Sequence, residues 1–165
     1  MNDDAVVFAL GSNLKGRFSS VSDLLEAAAA DFPAAGLAVA KRSSWWRSAA
    51  WPDAGQPDYL NGVILVETML DPWATLAALR DIEARFGRLR GEPNAPRTLD
   101  LDLIAHGRTV LDDAALTLPH PRAAERLFVM GPLAQVAPGW VHPVLGLSAK
   151  ALAARATVGL DARAG

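Results

Sequence analysis

The segment Leu99-Asp100-Leu101-Asp102-Leu103 alternates strictly between leucine and aspartate, and this alternation constrains the chain more than any other feature. On a β-strand, side chains two residues apart lie on the same face of the sheet. A strand over 98–106 therefore buries its leucines on one face and presents Asp100 and Asp102 side by side on the other. Because neighbouring carboxylates repel each other, we expect a positive charge to compensate them.

Segments with strand periodicity and segments with helical periodicity follow one another along the chain. Runs rich in β-branched, apolar or aromatic residues predict strands over 6–10, 37–48, 59–68 and 98–106. Apolar residues at three- and four-residue spacing, with their capping residues, predict helices over 22–32, 71–86, 126–136 and from about 148 onward. The order strand, helix, strand, strand, helix, strand predicts an α+β fold with a ferredoxin-like βαββαβ core and C-terminal helical and short-strand additions.

Composition excludes several classes of protein. Sixteen Lys and Arg residues against 18 Asp and Glu residues give a net charge of −2, which argues against a general nucleic-acid binder. The absence of cysteine excludes disulfide scaffolds, thiolate metal sites and thiol nucleophiles. We expect a single domain over residues 1–165, with no second enzyme fused to it. The acidic start and the lack of a long apolar stretch predict a cytoplasmic protein without a membrane span.

A basic segment precedes the two aspartates. Between positions 85 and 97, four arginines and one acid (Glu92) give a local charge of +3. A carboxylate pair beside such a segment fits Mg²⁺ bound to nucleotide phosphates, with guanidinium groups neutralising charge during phosphoryl transfer. The alternative is that the carboxylates are solvated or paired to arginines, and that the basic loop has no role in chemistry.

Two further clusters could bind a ligand. Tyr59 and Asn61 share a strand face, where a ring could stack on a flat heterocycle and an amide could bind its edge; a core tyrosine with a turn-forming asparagine is the alternative. His120 lies between two prolines, so it is rigidly presented, although a structural loop histidine fits equally well. We interpret His106 and His142 as structural.

Four motifs along the chain together resemble one known family. They are Phe8-Ala9-Leu10-Gly11-Ser12-Asn13-Leu14, Gln56-Pro57-Asp58-Tyr59-Leu60-Asn61, Pro96-Arg97-Thr98-Leu99-Asp100-Leu101-Asp102 and Leu118-Pro119-His120-Pro121. In this order they resemble the 6-hydroxymethyl-7,8-dihydropterin pyrophosphokinases of folate biosynthesis. The resemblance implies transfer of the β,γ-diphosphate of ATP to the hydroxymethyl oxygen of the pterin, with release of AMP.

The resemblance also implies roles for individual residues. Asp100 and Asp102 match the ligands of two Mg²⁺ ions, and Arg88 and Arg97 match catalytic arginines. The positions that match ATP-binding residues are Glu83, Arg90, Leu103, Thr117, His120 and Arg126. The positions that match pterin-binding residues are Ser48, Ala49, Trp51, Tyr59, Asn61 and Phe128.

Several positions depart from the family pattern, among them Asn94, Pro121 and Trp51, and two other functions remain open. Asn94 stands where many members carry a tryptophan that helps to close the site. A catalytically weak or regulatory relative is therefore one alternative. The other is a ferredoxin-like module that binds nucleic acid on an open sheet face. For the enzyme we expect only small-molecule partners, ATP and the pterin, with no nucleic acid, no membrane and a monomeric state.

Overall fold

An antiparallel sheet organises the protein in a computed structural model that describes residues 4–49, 55, 57–86 and 99–165. The strands are β1 (Val6–Ser12), β2 (Ala38–Arg42), β3 (Trp46–Ser48), β4 (Tyr59–Glu67), β5 (Asp100–His106), β6 (Leu111–Asp112), β7 (Thr117–Leu118) and β8 (Arg163–Ala164). The helices are α1 (Val21–Ala30), α2 (Pro72–Arg85), α3 (Leu127–Val136) and α4 (Ala149–Arg155).

The order of strands confirms the predicted ferredoxin-like core. The main sheet runs β5-β1-β4-β3-β8, and β2 also pairs with β4. All of these pairings are antiparallel, with α1 between β1 and β2 and α2 between β4 and β5. Strands β6 and β7 form a separate hairpin. The predicted C-terminal helical and short-strand additions are α3, α4, β6, β7 and β8.

Helices cover both faces of the sheet. Phe8 and Ile64 belong to a core shared with α1 and α2, whereas Val7, Val63 and Leu65 belong to a core shared with α3 and α4. The face that a nucleic-acid-binding module would leave open is therefore covered where α3 packs on β4. None of the helices in the described part of the chain combines the length and the apolar character needed to cross a bilayer.

Capping residues set the helix starts close to the predicted ones. Ser20 Oγ accepts the Asp23 N–H at the start of α1, and Asp71 Oδ1 accepts the Ala74 N–H ahead of Pro72 in α2. Ser148 Oγ likewise caps α4. The predicted helix over 22–32 instead spans 21–30, and the helix predicted from 126 begins one residue later.

The single strand predicted over 37–48 is wrong, because the segment forms two strands, β2 and β3. Between them, Ser43 Oγ accepts the N–H of Val63, and the two following tryptophans turn to opposite faces of the sheet. Trp45 lies against Gly62, and Trp46 lies against Gly131 of α3, each at a position where a Cβ would clash with the ring. The regular pairing with β4 stops at Arg42 and resumes at Trp46.

The two histidines interpreted as structural have structural partners. His106 Nε2 lies 2.9 Å from the carbonyl oxygen of Leu70. His142 is buried, and its Nδ1 accepts the N–H groups of Val144 at 3.2 Å and Leu145 at 3.0 Å. Burial lowers the pKa of His142, and the neighbouring Arg108 lowers it further. The turn after α3 therefore requires the neutral imidazole.

We expect the stability of the protein to fall as the pH drops below about 6.5, because the unfolded chain then takes up a proton that folded His142 resists. In His142→Asn the amide oxygen can accept the same two N–H groups without titrating. That variant should lose less stability between pH 8 and pH 5.5 than the wild type does, as measured by urea unfolding. His142→Ala should lose about 1 kcal/mol at pH 8, because it leaves both donors unpaired. An Asn variant with the wild-type pH profile would contradict this role.

Candidate active site

The pairing of β1 with both of its neighbours brings the two aspartates and the predicted pterin-binding amide to one face of the sheet. Gly11 pairs with Asp100 on one side and with Asn61 on the other. Two residues earlier in β1, Ala9 pairs with Asp102. Because alternate residues share a face, Asp100, Asp102 and Asn61 all lie on the α3 and α4 side.

The opposite face of β5 is apolar, as the alternation predicts. Leu99, Leu101 and Leu103 are all buried in the core shared with α1 and α2. Asp100 and Asp102 are half-buried. The two carboxylates are thus held on a strand that is anchored by its leucines, and their spacing is set by the strand rather than by a loop.

A cavity of about 320 Å³ opens between α2, β5 and the β6–β7 hairpin. Four of the residues predicted to bind ATP line it together with Asp102. They are Glu83, Leu103, Thr117 and His120. The sequence reasoning missed Arg80, which also lines the cavity. Arg80 lies three residues before Glu83, so helical spacing alone would have placed it on the same face of α2.

Glu83 links the cavity to the aspartate strand. Its side chain is 1% exposed, and its Oε2 accepts the N–H of Leu101 at 3.1 Å. Leu101 is the residue between the two aspartates, so this hydrogen bond fixes the position of β5 where both carboxylates leave the backbone. Glu83 therefore has a structural role in the site as well as its predicted contact with ATP.

The environment of His120 favours the neutral ring. Burial lowers its pKa; the positive charges of Arg126 and Arg122 act in the same direction, and Asp102 opposes them. The Arg122 N–H donates to Nδ1 at 3.2 Å, which places the proton of the neutral ring on Nε2. His120 can thus offer an N–H donor next to Asp102, as a phosphate oxygen requires.

The predicted pterin-binding residues on β3 and β4 form a second group beside the aspartates. Asn61 is buried, and its Nδ2 donates to Ser48 Oγ at 3.1 Å. A Cβ on Gly11 would lie only 2.8 Å from Asn61 Oδ1, so glycine at this position makes room for the amide. Tyr59 pairs with Ser48 across the strands and is half-buried. Ser48, Tyr59 and Asn61 thus lie together at one end of the sheet.

Phe128 and Arg126 lie at the start of α3. Phe128 packs against the core beneath that helix. The Arg126 guanidinium lies 5.7 Å from the centre of the Phe128 ring, a distance at which a cation is attracted to the aromatic face. The charge of Arg126 also lowers the pKa of His120, so Arg126 acts both on this histidine and on the Phe128 ring.

Several predicted site residues lie outside the described residues. They are Trp51 and, in the basic segment, Arg88, Arg90 and Arg97. Asn94, which departs from the family pattern, also lies outside the described residues. Arg85, the first arginine of that segment, is described; its Nη1 lies 3.2 Å from Asp31 Oδ2 in an ion pair on the protein surface. Arg85 therefore has a structural partner in Asp31, the C-cap residue of α1.

The donor set fits a hard cation. Asp100 and Asp102 supply carboxylate oxygens, which Mg²⁺ prefers, and Mg²⁺ commonly takes one or two carboxylates together with phosphate oxygens and water. Within residues 4–49, 57–86 and 99–165, no group of three His, Asp or Glu side chains is arranged to hold a metal. A Mg²⁺ ion held by Asp100 and Asp102 would complete its shell with oxygen atoms of a ligand or of water.

The sequence matches a known family over most of its length. Residues 7–138 match the family model described as 7,8-dihydro-6-hydroxymethylpterin-pyrophosphokinase (HPPK). A 2-amino-4-hydroxy-6-hydroxymethyldihydropteridine pyrophosphokinase of Synechocystis sp. is 46% identical over 134 residues, which are 81% of this chain and 68% of that protein. One of the same name from Methylorubrum extorquens is 36% identical over 132 residues, 80% of this chain and 82% of the relative.

Other relatives are longer proteins. The mitochondrial folate synthesis bifunctional protein of Pisum sativum is 36% identical over 131 residues, but the match covers only 25% of its length. The solved structure of Plasmodium falciparum HPPK-DHPS is similar with a TM-score of 0.70 at 12% identity, covering 91% of this chain and 44% of that one. The structural likeness supports the fold.

The Glu83 hydrogen bond predicts a difference between two substitutions. Glu83→Ala leaves the Leu101 N–H buried without this acceptor and should lower the free energy of unfolding by about 1–3 kcal/mol. Glu83→Gln keeps an acceptor oxygen in the same place and should retain most of that stability. Urea unfolding measures both variants. Equal losses in the two variants would show that the charge of Glu83, and not its hydrogen bond to β5, stabilises the strand.

Proposed function

The chain belongs to the 7,8-dihydro-6-hydroxymethylpterin-pyrophosphokinase family, and from this premise we propose how its residues carry the reaction of that family. The chain is an ATP-dependent pyrophosphokinase of folate biosynthesis. We propose that Asp100 and Asp102 hold two Mg²⁺ ions on the triphosphate of ATP. The nucleotide would occupy the cavity between α2 and the edge strand β5, and the pterin would lie at the β3 and β4 end of the sheet, on the face that carries Asn61.

In this reaction the hydroxymethyl oxygen of the pterin forms a bond to the β-phosphorus of ATP. The bond from that phosphorus to the oxygen of the α-phosphate breaks, AMP leaves, and the hydroxyl proton is released. Mg²⁺ bound by Asp100 and Asp102 would neutralise charge on the transferring oxygens. The protein's own contribution is to position both substrates and to add positive charge.

Each group of residues has a distinct task in this proposal. His120 offers its Nε2–H to a phosphate oxygen beside Asp102, and Arg126 adds charge there. Asn61 presents its amide to the edge of the pterin. Tyr59 and Phe128 supply aromatic faces. Arg88 and Arg97, by the resemblance alone, neutralise charge on the diphosphate as it moves, and Glu83, Arg90, Leu103 and Thr117 complete the ATP site.

The observation that carries the proposal is the register of β1 with β4 and β5. It places the carboxylate pair and Asn61 on one face, separated only by Gly11, and next to the cavity lined by Glu83 and His120. This arrangement supports the proposal of a metal-bound polyanion site and a heterocycle site within reach of each other. A structural carboxylate pair would not need a buried amide beside it.

A catalytically weak or regulatory relative is the second candidate, and the departure at Asn94 favours it. One assay separates the two. The protein is incubated with ATP, Mg²⁺ and 6-hydroxymethyl-7,8-dihydropterin, and AMP is quantified. AMP release that depends on the pterin supports the enzyme, whereas nucleotide binding without AMP release supports the weak relative.

We also propose that residues 1–165 act as one domain and as a monomer. The pairing of β8 with β3 supports the first point, because it ties residues 163–164 into the same sheet as β1. Sedimentation at assay concentration tests the second point. A dimeric mass would overturn it.

We expect Asp100→Asn and Asp102→Asn each to abolish turnover, because each removes one negative metal ligand. Rates are measured by AMP release across a Mg²⁺ titration. Asp112→Asn serves as the matched control, since Asp112 is an exposed aspartate on β6 outside the cavity lining. It should keep the wild-type rate. A rate near wild type for either variant at saturating Mg²⁺ would refute the metal assignment.

We expect Tyr59→Ala to weaken pterin binding by about tenfold or more, the scale of losing one stacked aromatic face, and to leave ATP affinity within about twofold. Tyr59→Phe keeps the ring and should bind the pterin almost as the wild type does. Calorimetric titration with the pterin and, separately, with a non-hydrolysable ATP analogue measures both. If the Phe variant is as weak as the Ala variant, the hydroxyl and not the ring makes the contact.

A further inference from the structure

The last nine residues, Thr157–Gly165, form a C-terminal strap that follows α4 and crosses the pterin side of the site. Neither the motifs that carry the resemblance nor the matched span 7–138 includes any part of it. The strap contacts two of the residues predicted to bind the pterin, Phe128 and Ala49, which lie on different elements of the fold.

The first contact is at the start of α3. The N–H groups of Thr157 and Val158 both donate to the Glu125 carbonyl oxygen at 3.0 Å. In return, the Leu127 N–H donates to the Val158 carbonyl oxygen at 2.9 Å. This short parallel bridge holds the strap against the backbone on either side of Arg126. The first turn of α3, and with it Phe128, is thereby fixed to the strap.

Gly159 then packs closely against the ring of Phe128. Its φ of +70° lies in the left-handed region that favours glycine. A Cβ at this position would lie 2.5 Å from Phe128 Cδ1 and 3.0 Å from Cε1. Only a residue without a side chain lets the strap pass this close to the ring. The strap therefore packs against one side of the Phe128 ring.

The second contact is at the end of β3. Strand β8 pairs with β3 through Trp46 with Ala164 and Arg47 with Arg163. This places the turn before β8 beside the residues that follow β3. There, Asp161 Oδ2 accepts the backbone N–H of Ala49 at 2.7 Å, the short length typical of a hydrogen bond to a carboxylate.

We infer that Asp161 is a positioning residue for the pterin site, and that the C-terminal strap fixes the separation between the Phe128 ring and the backbone at Ala49. This inference rests on the proposed function, because Phe128 and Ala49 are pterin contacts only in that proposal. The backbone of the strap pairs with Arg126 and with β3. In addition, Gly159 packs against the Phe128 ring, and the Asp161 carboxylate accepts the Ala49 N–H. A flat heterocycle bound between them depends on the gap that these contacts set.

The strap adds little to the core, so its effect on the site can be separated from an effect on folding. Asp161, Arg163 and Ala164 are exposed, and Val158 and Leu160 are 44% and 65% exposed. Ala162 is its one buried side chain within the described residues. Removing the Asp161 carboxylate should therefore change the melting temperature by only a degree or two, since exposed hydrogen bonds contribute little.

The first test compares Asp161→Ala with Asp161→Asn. The alanine variant should bind 6-hydroxymethyl-7,8-dihydropterin about tenfold more weakly in the presence of Mg²⁺ and a non-hydrolysable ATP analogue, and keep the wild-type affinity for that analogue. The asparagine variant retains an acceptor oxygen for the Ala49 N–H and should recover most of the affinity. An alanine variant with unchanged pterin affinity, or an asparagine variant as weak as the alanine one, would overturn the inference.

The second test uses two glycines with the same backbone conformation. Gly159→Ala and Gly146→Ala introduce a Cβ at φ values of +70° and +69°, but only Gly159 faces a ring, since nothing lies within 4 Å of a Cβ at Gly146. Both variants bear the same backbone strain. Only Gly159→Ala should raise the KM for the pterin, by about tenfold, with the KM for ATP unchanged. Equal KM values for the pterin in the two variants would overturn the inference.

The wild-type protein distinguishes the two possible failures. If the wild type neither binds the pterin nor releases AMP with it, the proposed function fails. If the wild type does both and the Asp161 and Gly159 variants match it, the function stands and the role of the strap is overturned.

Discussion

The pairing of β1 with β4 on one side and β5 on the other is the constraint on which the rest of the structure depends. Val7 and Phe8 are both fully buried, on opposite faces, so β1 is the centre of both cores. A slip of β5 by one residue against Ala9–Gly11 would turn Asp100 and Asp102 towards the core of α1 and α2 and move Leu101 out of it. The large apolar surface buried by β1 therefore fixes where the polar groups of the site lie.

Charge in the site is balanced locally, although the whole chain is close to neutral. Glu83, Asp100 and Asp102 bring three carboxylates around one strand, and Glu83 is almost completely buried. Arg80 lines the same cavity. The charges of Arg122 and Arg126 lower the pKa of His120, which also lines it. A metal complex of a polyanion suits such a place, because its cation faces the carboxylates while its oxygens face the arginines and His120.

Local patterns predicted those parts of the fold that local interactions determine. The alternation at 99–103 gave the correct faces of β5, and Ser148 and Asp71 marked helix starts by capping. The interruption between β2 and β3 was missed because it goes with contacts between residues that are distant in sequence, Trp45 with Gly62 and Trp46 with Gly131. Composition and periodicity do not indicate such contacts.

The predictable part of the candidate site is likewise the part that carries a local signal in the sequence. The aspartate pair stands out because its spacing coincides with the strand period, and the ATP and pterin positions came from motifs. Asp161 has no such signal: it is an exposed aspartate in a short C-terminal segment, and its partner Ala49 is 112 residues away. Gly159 resembles any other turn glycine until the ring of Phe128 is placed beside it.

The proposed metal ligands lie on β5, and the proposed pterin-binding residues on β3 and β4, so the sheet would space the two halves of the site. Asp100, Gly11, Asn61 and Trp46 form one row across β5, β1, β4 and β3. Three strand spacings of about 4.8 Å separate the ends of that row by about 14 Å. Glu83 holds β5 at one end of that row, and β8 and Asp161 hold β3 and Ala49 at the other. Since hydrogen-bonded strands resist stretching, the sheet would set the distance between the two substrates of the proposed reaction.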